Sequence, residues 1–500
     1  MSRINTNVPS LLARTSLARN THSQTTTLER LSTGLAINRG ADNPAGLIAS
    51  ESLRSEKASI GAAIDNATRA DQVINIAEGG LQEVNSLLLE LQSLVGQSAN
   101  TAGLSTEEKN ANQLQVDSIL QTIDRISSST SFQGTKLLNG TFDFTITNQS
   151  TSVNSFQINA AKFGTTTSRA VQVVVTGSAQ HAGLFLSAGG TGLDLTSSSS
   201  RFTFELAGVK GSREFTFASG TSLADIETAV NTFTAVTGLS AHTSGNGIVV
   251  KSTEYGSDQF VSFNVSSAGG QGGGVYQLNA TNEAASQTSG GTAFSSITNP
   301  IRDIGQDVGA TINGITATSK GRKVSVNTDY LDLSIELKAV GATALGTINA
   351  LTINGGGAKF NLGPKVDITN EVSVGIKNVA TRYLGDSSNG FLSSLASGQS
   401  NNVVDGNLTN AQAIVSSSIS QVSSVRGRLG AFQKNVIGAT INSLNVALEN
   451  TSSAESAIRD TDFAATTAEL TRSQILVSAA TNVLSLANSA PQSVLRLLQG

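Results

Sequence analysis

Two runs of apolar residues spaced seven apart restrict the fold of this chain more than any other feature. The first run contains Ile60, Ala67, Ile74, Leu81, Leu88 and Val95. The second run lies three residues later and contains Ala63, Ala70, Ala77, Val84 and Leu91. Two apolar positions in every seven residues are typical of a coiled-coil seam. The N-terminal part is therefore predicted to be a long helix that needs a partner helix.

Local signals predict where the N-terminal helices begin. In "ADNPAG", Pro44 suits a first helical position, and Asp42 or Asn43 suits the N-cap. A second helix is predicted to begin at Ser105, where Glu108 completes a capping box. The pair at 79 and 80 is Gly-Gly, which costs about 1 kcal/mol per residue against Ala and marks a soft spot.

The C-terminal part repeats the heptad pattern. Its spacing of seven is carried by Val415, Val422, Leu429 and Val436, interleaved with Val425, Phe432, Ala439 and Val446. The period continues at Phe463, Leu470, Val477 and Leu484. We predict that the coiled-coil core of the two parts contains Ile60, Ala67, Ile74, Leu81, Leu88, Leu91, Val422, Leu429, Phe432 and Val436.

The middle of the chain has the alternation of half-buried strands instead. The strand signals are "RFTFELAG", "REFTFASG", "GIVVKS", "KVSVNT" and "DLSIELKAV", separated by Gly and Ser. We therefore predict an α+β fold. Long helical N- and C-terminal segments pack together as a coiled coil, and a β-rich insertion lies between them in sequence.

Neither composition nor motifs indicate catalysis. The chain has no Cys, which excludes disulfides and thiol chemistry. His22, His181 and His242 lack a partner at metal-ligand spacing, so we expect them on the surface or in packing. A net charge of −4 does not indicate a nucleic-acid partner. We expect no enzyme activity, no cofactor and no metal.

The sequence also lacks the usual signals for membranes and secretion. "MSRINTNVPS" has no basic segment followed by the apolar segment of a cleaved signal peptide. No run of about 18 apolar residues predicts a membrane span. If this protein leaves the cell, we expect it to use a route that reads no such signal.

Both chain ends carry apolar residues that need a cover. The N-terminal segment offers Ile4, Val8, Leu11, Leu28, Leu31 and Leu35, and the C-terminal stripe continues to Val494 and Leu498. We expect this stripe to pack on the N-terminal segment. Burying six such residues at ~1.5–3 kcal/mol each does not offset the entropy of ordering about 40 residues at each end. We therefore expect the ends to become ordered only when neighbouring copies add contacts.

Three stretches resemble bacterial flagellin. They are "LERLSTGLAINRGADNPAGLIASESLRS" at 28–55, "NQLQVDSILQTIDRISSSTSFQGTKLLNG" at 112–140, and "RGRLGAFQKNVIGATINSLNVALENTSSAESAIRDTDFAATTAELTRSQIL" at 426–476. The centre, at 202–252, resembles the IN motif of some flagellins and hook-associated proteins. We expect its partner strands in 307–326.

The resemblance implies a subunit that polymerises into the flagellar filament for swimming motility. It implies three domains: terminal helices at 1–45 and 455–500 that form the inner filament tube, an α-rich coiled-coil core with a β-hairpin at 46–168 and 372–454, and the outer insertion at 169–371. The inner-tube and subunit-interface residues are then Ile4, Val8, Leu11, Leu28, Leu31, Leu35, Phe463, Leu470, Val477, Leu484, Val494 and Leu498.

The resemblance also implies partners and a location. The partners are other copies of the chain, the flagellar export apparatus and an export chaperone, the filament cap, hook-associated proteins and other flagellins. The location is the extracellular filament. One alternative is a hook–filament junction protein, whose ends look similar. The other is a non-flagellar surface adhesin with coiled-coil ends.

One residue departs from the family. In many flagellins, the helix aligned with "LLLELQSLVGQSAN" (87–100) is the patch bound by the Toll-like receptor that senses flagellin, and those members carry Arg where this sequence has Glu90. A carboxylate accepts hydrogen bonds and cannot replace the donors of an Arg. We therefore expect weak activation of this receptor.

Overall fold

The chain has helical ends and a β-rich centre, which confirms the predicted α+β class. A computed structural model describes residues 6–100, 103–164, 166–279, 283–285 and 291–499, with the backbone alone for 491–499. Ile4 therefore lies outside the described residues, as do the side chains of Val494 and Leu498.

The helices of the described ranges are numbered in chain order. They are α1 (Val8–Thr33), α2 (Pro44–Ser98), α3 (Thr106–Ser129), α4 (Leu223–Thr232), α5 (Thr234–Thr237), α6 (Ala339–Thr343), α7 (Leu408–Phe432), α8 (Ala439–Arg459) and α9 (Phe463–Gln499). A π-helical segment, Gln433–Gly438, joins α7 to α8 without a break.

The predicted helix starts are confirmed. Helix α2 begins at Pro44, and the Asn43 side chain accepts a hydrogen bond from Gly46 N at 2.9 Å. Helix α3 has the capping box, in which Ser105 Oγ accepts from Glu108 N and the Glu108 carboxylate accepts from Ser105 N. These bonds satisfy N–H groups that have no partner within the helix.

The strands are short and almost all antiparallel in their pairing. They are β1 (Ser131–Phe132), β2 (Thr135–Lys136), β3 (Phe144–Thr147), β4 (Val153–Ala161), β5 (Arg169–Gly177), β6 (His181–Ser187), β7 (Arg201–Gly208), β8 (Gly211–Ala218), β9 (Leu239–Ser244), β10 (Gly247–Tyr255), β11 (Phe260–Ser267), β12 (Gly274–Gln277), β13 (Thr292–Ala293), β14 (Ile301–Ile304), β15 (Gly309–Ile312), β16 (Ile315–Thr316), β17 (Thr318–Lys320), β18 (Lys323–Asn327), β19 (Leu331–Leu337), β20 (Gly346–Gly356), β21 (Ala358–Asn361), β22 (Glu371–Val374), β23 (Gly385–Asp386) and β24 (Gly390–Phe391).

The chain forms two compact units. The first unit comprises 1–74, 360–371 and 429–500, and the second comprises 75–359 and 372–428. In the first unit, α2 packs against α8 through Ile60, Ala63 and Leu444. Ion pairs at the edge of this contact join Lys57 to Glu455 at 3.2 Å and Arg459 to Glu51 at 2.9 Å.

In the second unit, the remainder of α2 contacts α7. Arg426 Nε donates to Glu78 at 2.8 Å, and Ser423 Oγ lies 3.4 Å from Asn85 Oδ1. Residues 131–136 form the small hairpin β1–β2.

Both apolar runs of α2 are buried along their whole length. Their residues are Ile60, Ala63, Ala67, Ala70, Ile74, Ala77, Leu81, Val84, Leu88, Leu91 and Val95.

The heptad register is wrong beyond Leu429. Val422 and Leu429 are buried, but Phe432 and Val436 are only half-buried, and Val446 is exposed. The π-helical segment adds one residue to the turn, so the next buried positions after Leu429 are Ile437 and Leu444 rather than Val436 and Val446. The buried face therefore steps by eight residues once and by seven afterwards.

Two β-sheets of the second unit enclose one core, which we call the framing β cluster. Their strand orders are β16-β15-β5-β20-β3 and β17-β18-β19-β4. Buried members include Phe144, Ile158, Val173, Leu333 and Ile353. Strands β3 and β4 precede residue 169 and pair with β20 and β19, so the predicted start of the insertion at 169 cuts through both sheets.

Two further sheets form the nested β cluster, which is made only of β6–β14 and α4–α5. Their strand orders are β13-β12-β6-β10-β9 and β14-β11-β7-β8. The core is rich in Phe, including Phe202, Phe204 and Phe263. The expectation that 307–326 pairs with the IN-like stretch 202–252 is wrong. Strands β15–β18 belong to the framing cluster, and β7 pairs with β8 and β11.

Candidate assembly surface

Helix α1 is defined at both ends by local hydrogen bonds. Asn7 Oδ1 accepts from Ser10 N at 3.1 Å, and Pro9 occupies the first turn. Gly34 ends the helix with φ 73°, and its N–H donates to Arg30 O at 2.9 Å. A left-handed residue at this position favours Gly, because a side chain would strain the backbone.

Helix α9 begins after Asp462, whose carboxylate accepts from Ala464 N and Ala465 N at 2.8 and 3.1 Å. The segments that lead into and out of the terminal helices are joined by backbone bonds. Ala36 N donates to Arg459 O at 2.7 Å, and Thr461 N donates to Gly34 O at 2.9 Å. The end of α1 and the start of α9 are therefore held next to each other.

Helices α1 and α9 lie side by side in antiparallel order. Asn7 Nδ2 donates to Ala487 O at 2.8 Å, and Ser10 Oγ donates to Asn488 Oδ1 at 2.7 Å. Farther along, Asn20 Nδ2 lies 3.4 Å from Leu476 O. The contact is therefore continuous over most of the described length of α1.

Small side chains form the buried seam of this pair. The seam residues are Ala13, Thr27, Thr466, Ser473 and Ala480. The last three are spaced seven apart, which is the same period as the apolar runs. They are absent from the predicted interface because, at the chain ends, the prediction followed the large apolar residues. A period of seven in small residues is the signal that could have found them.

The predicted interface residues occupy other positions. Val8, Leu11, Leu28 and Phe463 are exposed. Leu31, Leu35, Leu470, Val477 and Leu484 are half-buried. The C-terminal stripe does lie along the N-terminal segment, but its fully buried positions are small residues, and Leu470, Val477 and Leu484 are covered only in part. The contribution of these positions to contacts between subunits stays a prediction.

Further apolar side chains of the terminal helices are exposed. They are Leu12, Ile475, Leu476, Val483 and Leu486, of which Leu486 is 72% exposed. Among the described residues, 23 large apolar side chains are exposed, and 13 of them lie in the first unit, which is less than a third of the chain. Soluble monomers do not usually concentrate exposed apolar side chains in this way.

The histidines make structural contacts or face solvent. His181 Nδ1 lies 3.0 Å from the Glu283 carboxylate, to which Lys251 Nζ donates at 2.9 Å. Burial alone would raise the pKa of Glu283, but hydrogen bonds from His181 and Lys251 outweigh it and lower the pKa to about 2. His22 and His242 are exposed.

The described residues contain no group of three or more His, Asp or Glu side chains that could hold a metal ion. Glu90 is exposed on α2. Within the described ranges, no helix has the length and hydropathy that a bilayer crossing requires.

Comparison with known proteins decides the family. Residues 4–143 match the bacterial flagellin N-terminal helical region, and 412–498 match the bacterial flagellin C-terminal helical region. The B-type flagellin of Pseudomonas aeruginosa is 30% identical over 513 residues, which cover 99% of each chain. The chain belongs to the bacterial flagellin family. Flagellin B of Helicobacter pylori is 26% identical, again over 99% of each chain.

Among solved structures, FliC of Burkholderia pseudomallei aligns with 73% of this chain and 99% of its own at 14% identity. Its TM-score of 0.23 is too low to add to the assignment. As a flagellin, the protein is a self-assembling structural subunit of the extracellular flagellar filament and serves motility. Nothing in these relatives favours the junction-protein or adhesin alternatives.

Proposed function

We propose that this flagellin polymerises by burying the apolar side chains of α1 and α9 against the same helices of neighbouring copies, which together form the inner tube of the filament. One observation carries this proposal. Among the side chains that the structure describes, the α1–α9 pair fully buries small residues, whereas it leaves these large apolar side chains exposed: Val8, Leu11, Leu12, Leu28, Phe463, Ile475, Leu476, Val483 and Leu486.

The same observation explains why the ends should need neighbours. Apolar burial stabilises a helix pair in proportion to the area removed from water, and the seam residues bring little area. Ordering the backbone costs about 1–2 kcal/mol per residue. In an isolated subunit, the contacts of α1 with α9 are therefore insufficient. Neighbouring copies would add the missing burial.

We place the other elements around this tube. Helices α2, α3, α7 and α8 form the coiled-coil layer, with Ile60, Ala67, Ile74, Leu81, Leu88, Leu91, Val422 and Leu429 in its core. The β clusters form the outer part, which begins near Phe144 rather than at 169 because β3 and β4 belong to the framing sheets.

Family membership supports a proposal for export and for further partners. We propose that the chain reaches the filament through the flagellar export apparatus with an export chaperone and without a cleaved signal peptide. In the filament it meets the cap, the hook-associated proteins and any co-assembled flagellin. Its role is structural, and we propose no enzymatic activity.

Leu486→Asp tests the assembly proposal. A carboxylate at this exposed site costs the monomer little, but in a buried contact it would be desolvated without a partner, which costs several kcal/mol. We expect the variant to keep the monomer's unfolding midpoint and to lose polymerisation, measured by sedimentation and electron microscopy. Val340→Asp is the matched control, because Val340 is 78% exposed in the second unit. It should polymerise normally. Filaments of normal heat stability from Leu486→Asp would contradict the proposal.

Limited proteolysis gives an independent readout. We expect trypsin to trim the unmodified monomer back to roughly residue 45 at one end and roughly residue 455 at the other, because the ends lack the burial that neighbours supply. Filaments should resist the same treatment. Equal resistance of monomer and filament would show that the terminal helices are ordered without neighbours.

A further inference from the structure

The loop 362–370 presents an apolar tip on the first unit. Val366 is 95% exposed, more than any other large apolar side chain of the described residues, and Ile368 is 43% exposed. The charged side chains of Lys365, Asp367 and Glu371 flank these two residues in sequence. Protein contact sites typically combine an apolar centre with a polar rim, and the sequence of this loop supplies residues of both kinds.

Hydrogen bonds fix the loop that carries this tip. The Asp367 carboxylate accepts from the N–H groups of Thr369 and Asn370 at 3.0 and 2.9 Å. Leu362 N donates to Asn370 O at 3.0 Å, and Asn370 Nδ2 donates to Lys365 O at 3.2 Å. The exposure of Val366 therefore does not result from a loose loop. A partner that binds a preformed loop loses little conformational entropy.

The loop is also anchored to the helical part of its unit. Leu362 is buried, and the Phe360 ring lies 6.3 Å from the Phe432 ring at the end of α7. The tip consequently has a fixed place within the unit that also contains α1, α8 and α9.

We propose that Val366 and Ile368 form a contact with a second copy of this chain in the filament. This inference rests on the proposed function. In a helical homopolymer each subunit is surrounded by copies of itself, and the tip lies in the unit that contains 13 of the 23 exposed apolar side chains. The tip thus adds to the exposed apolar side chains of the unit that assembly is proposed to bury, and another copy, which carries the same exposed apolar helix faces, is the partner of matching chemistry.

Cysteine labelling tests the contact, because the native chain has no Cys. Val366→Cys and the control Val340→Cys are each labelled with a small maleimide as monomer and as filament. We expect assembly to slow labelling at 366 by at least about tenfold, which corresponds to about 1.4 kcal/mol of protection, and to change the rate at 340 by less than about twofold. Labelling at 366 that slows no more than at 340 overturns the inference.

Cross-linking identifies the partner. Val366→Cys carrying a photoreactive maleimide is assembled with an equal amount of isotope-labelled unmodified chain and irradiated. We expect a product of twice the subunit mass whose peptides join the two isotopic forms. Adducts found only within one chain, or only in unassembled monomer, contradict a contact between copies.

The two experiments separate this inference from the function on which it rests. If the unmodified chain assembles but position 366 stays reactive, the contact is refuted and the assembly proposal stands. If the unmodified chain forms no filaments under any polymerising condition, the assembly proposal itself fails, and the contact fails with it.

Discussion

Gly79 and Gly80 are adjacent in α2, yet their surroundings differ. A Cβ on Gly80 would lie 2.8 Å from Leu138 Cδ1 and 2.9 Å from Thr130 Oγ1, whereas a Cβ on Gly79 would have no atom within 4 Å. Leu138 is fully buried. The Gly at 80 thus permits close approach of the segment around the β1–β2 hairpin, and the Gly at 79 has no such packing reason.

This difference predicts opposite effects of the same substitution. Gly79→Ala should raise the free energy of unfolding by about 1 kcal/mol, because Ala has the higher helix propensity. Gly80→Ala should lower it by about 1–3 kcal/mol, because the new methyl displaces Leu138 from a packed site. Urea unfolding of monomer, followed by circular dichroism, measures both. Two changes of the same sign would show that the hairpin segment does not approach α2 this closely.

At this scale much could be predicted from sequence, because the signals are local. The cap at Asn43 and the capping box of Ser105 and Glu108 depend on residues within one turn of each other. The seam of Thr466, Ser473 and Ala480 could not be found by a reading that equates burial with large apolar side chains. Small residues suit these positions because they allow the backbones of α1 and α9 to approach each other closely.

At the scale of single elements, the buried face of α2 could be predicted from sequence, whereas that of the continuous helix from α7 to α8 could not. The π-helical segment in the second helix is the reason. Helix α2 keeps a strict spacing of seven from Ile60 to Val95, so its buried face could be read directly. The helix from α7 to α8 has the same residue types, but its buried face advances from Leu429 to Ile437. The apolar spacing of seven continues through this segment at Val436 and Ala439, so nothing in the pattern marks the extra residue.

Removal of one residue tests this account. Deleting the exposed Asn435 from the π segment should convert it to α-helix and leave Leu444 on the buried face. We expect the unfolding free energy of the monomer to change by less than about 0.5 kcal/mol, as for a surface substitution. Deleting the exposed Ser443 from α8 should instead rotate the buried face and cost at least about 2 kcal/mol. Similar losses for both deletions, measured by urea unfolding, would rule out a spare residue at 433–438.

The whole molecule shows why the β-rich centre could be predicted but its limits could not. Alternation along single strands identifies β7, β8, β10, β18 and β19 from sequence. Which strands pair with each other could not be predicted in this way, since β4 pairs with β19 about 170 residues away. Local periodicity contains no information about such pairings. The predicted boundary at 169 therefore fell between strands that share a sheet with later parts of the chain.

The observed strand pairing indicates a more suitable segment to delete than the predicted insertion at 169–371. Strands β6–β14 pair only with one another within the described residues, so the nested β cluster can be removed without cutting a sheet of the framing β cluster. Its entry and exit also lie together. Gln180 N donates to Gln306 O at 2.9 Å, and Gln306 N donates to Gln180 O at 3.0 Å. A two-residue Asn-Gly turn can close an antiparallel pair of this kind.

We therefore predict that a chain lacking 181–305, with Asn-Gly joining Gln180 to Gln306, folds and forms filaments of smaller diameter. Tyr255, which packs against the framing cluster, is lost, so the shortened monomer should unfold at a somewhat lower temperature than the full chain.

Deletion of 169–371 is the contrasting variant. It removes β5, β15 and β18–β20 while leaving β3 and β4, so the buried faces of Phe144 and Ile158 lose their cover. We expect this second chain to aggregate, because unpaired apolar strands associate with one another. Thermal unfolding, sedimentation and electron microscopy of the two variants decide the outcome. Failure of a soluble, folded 181–305 deletion to polymerise would show that the nested β cluster makes contacts that assembly requires.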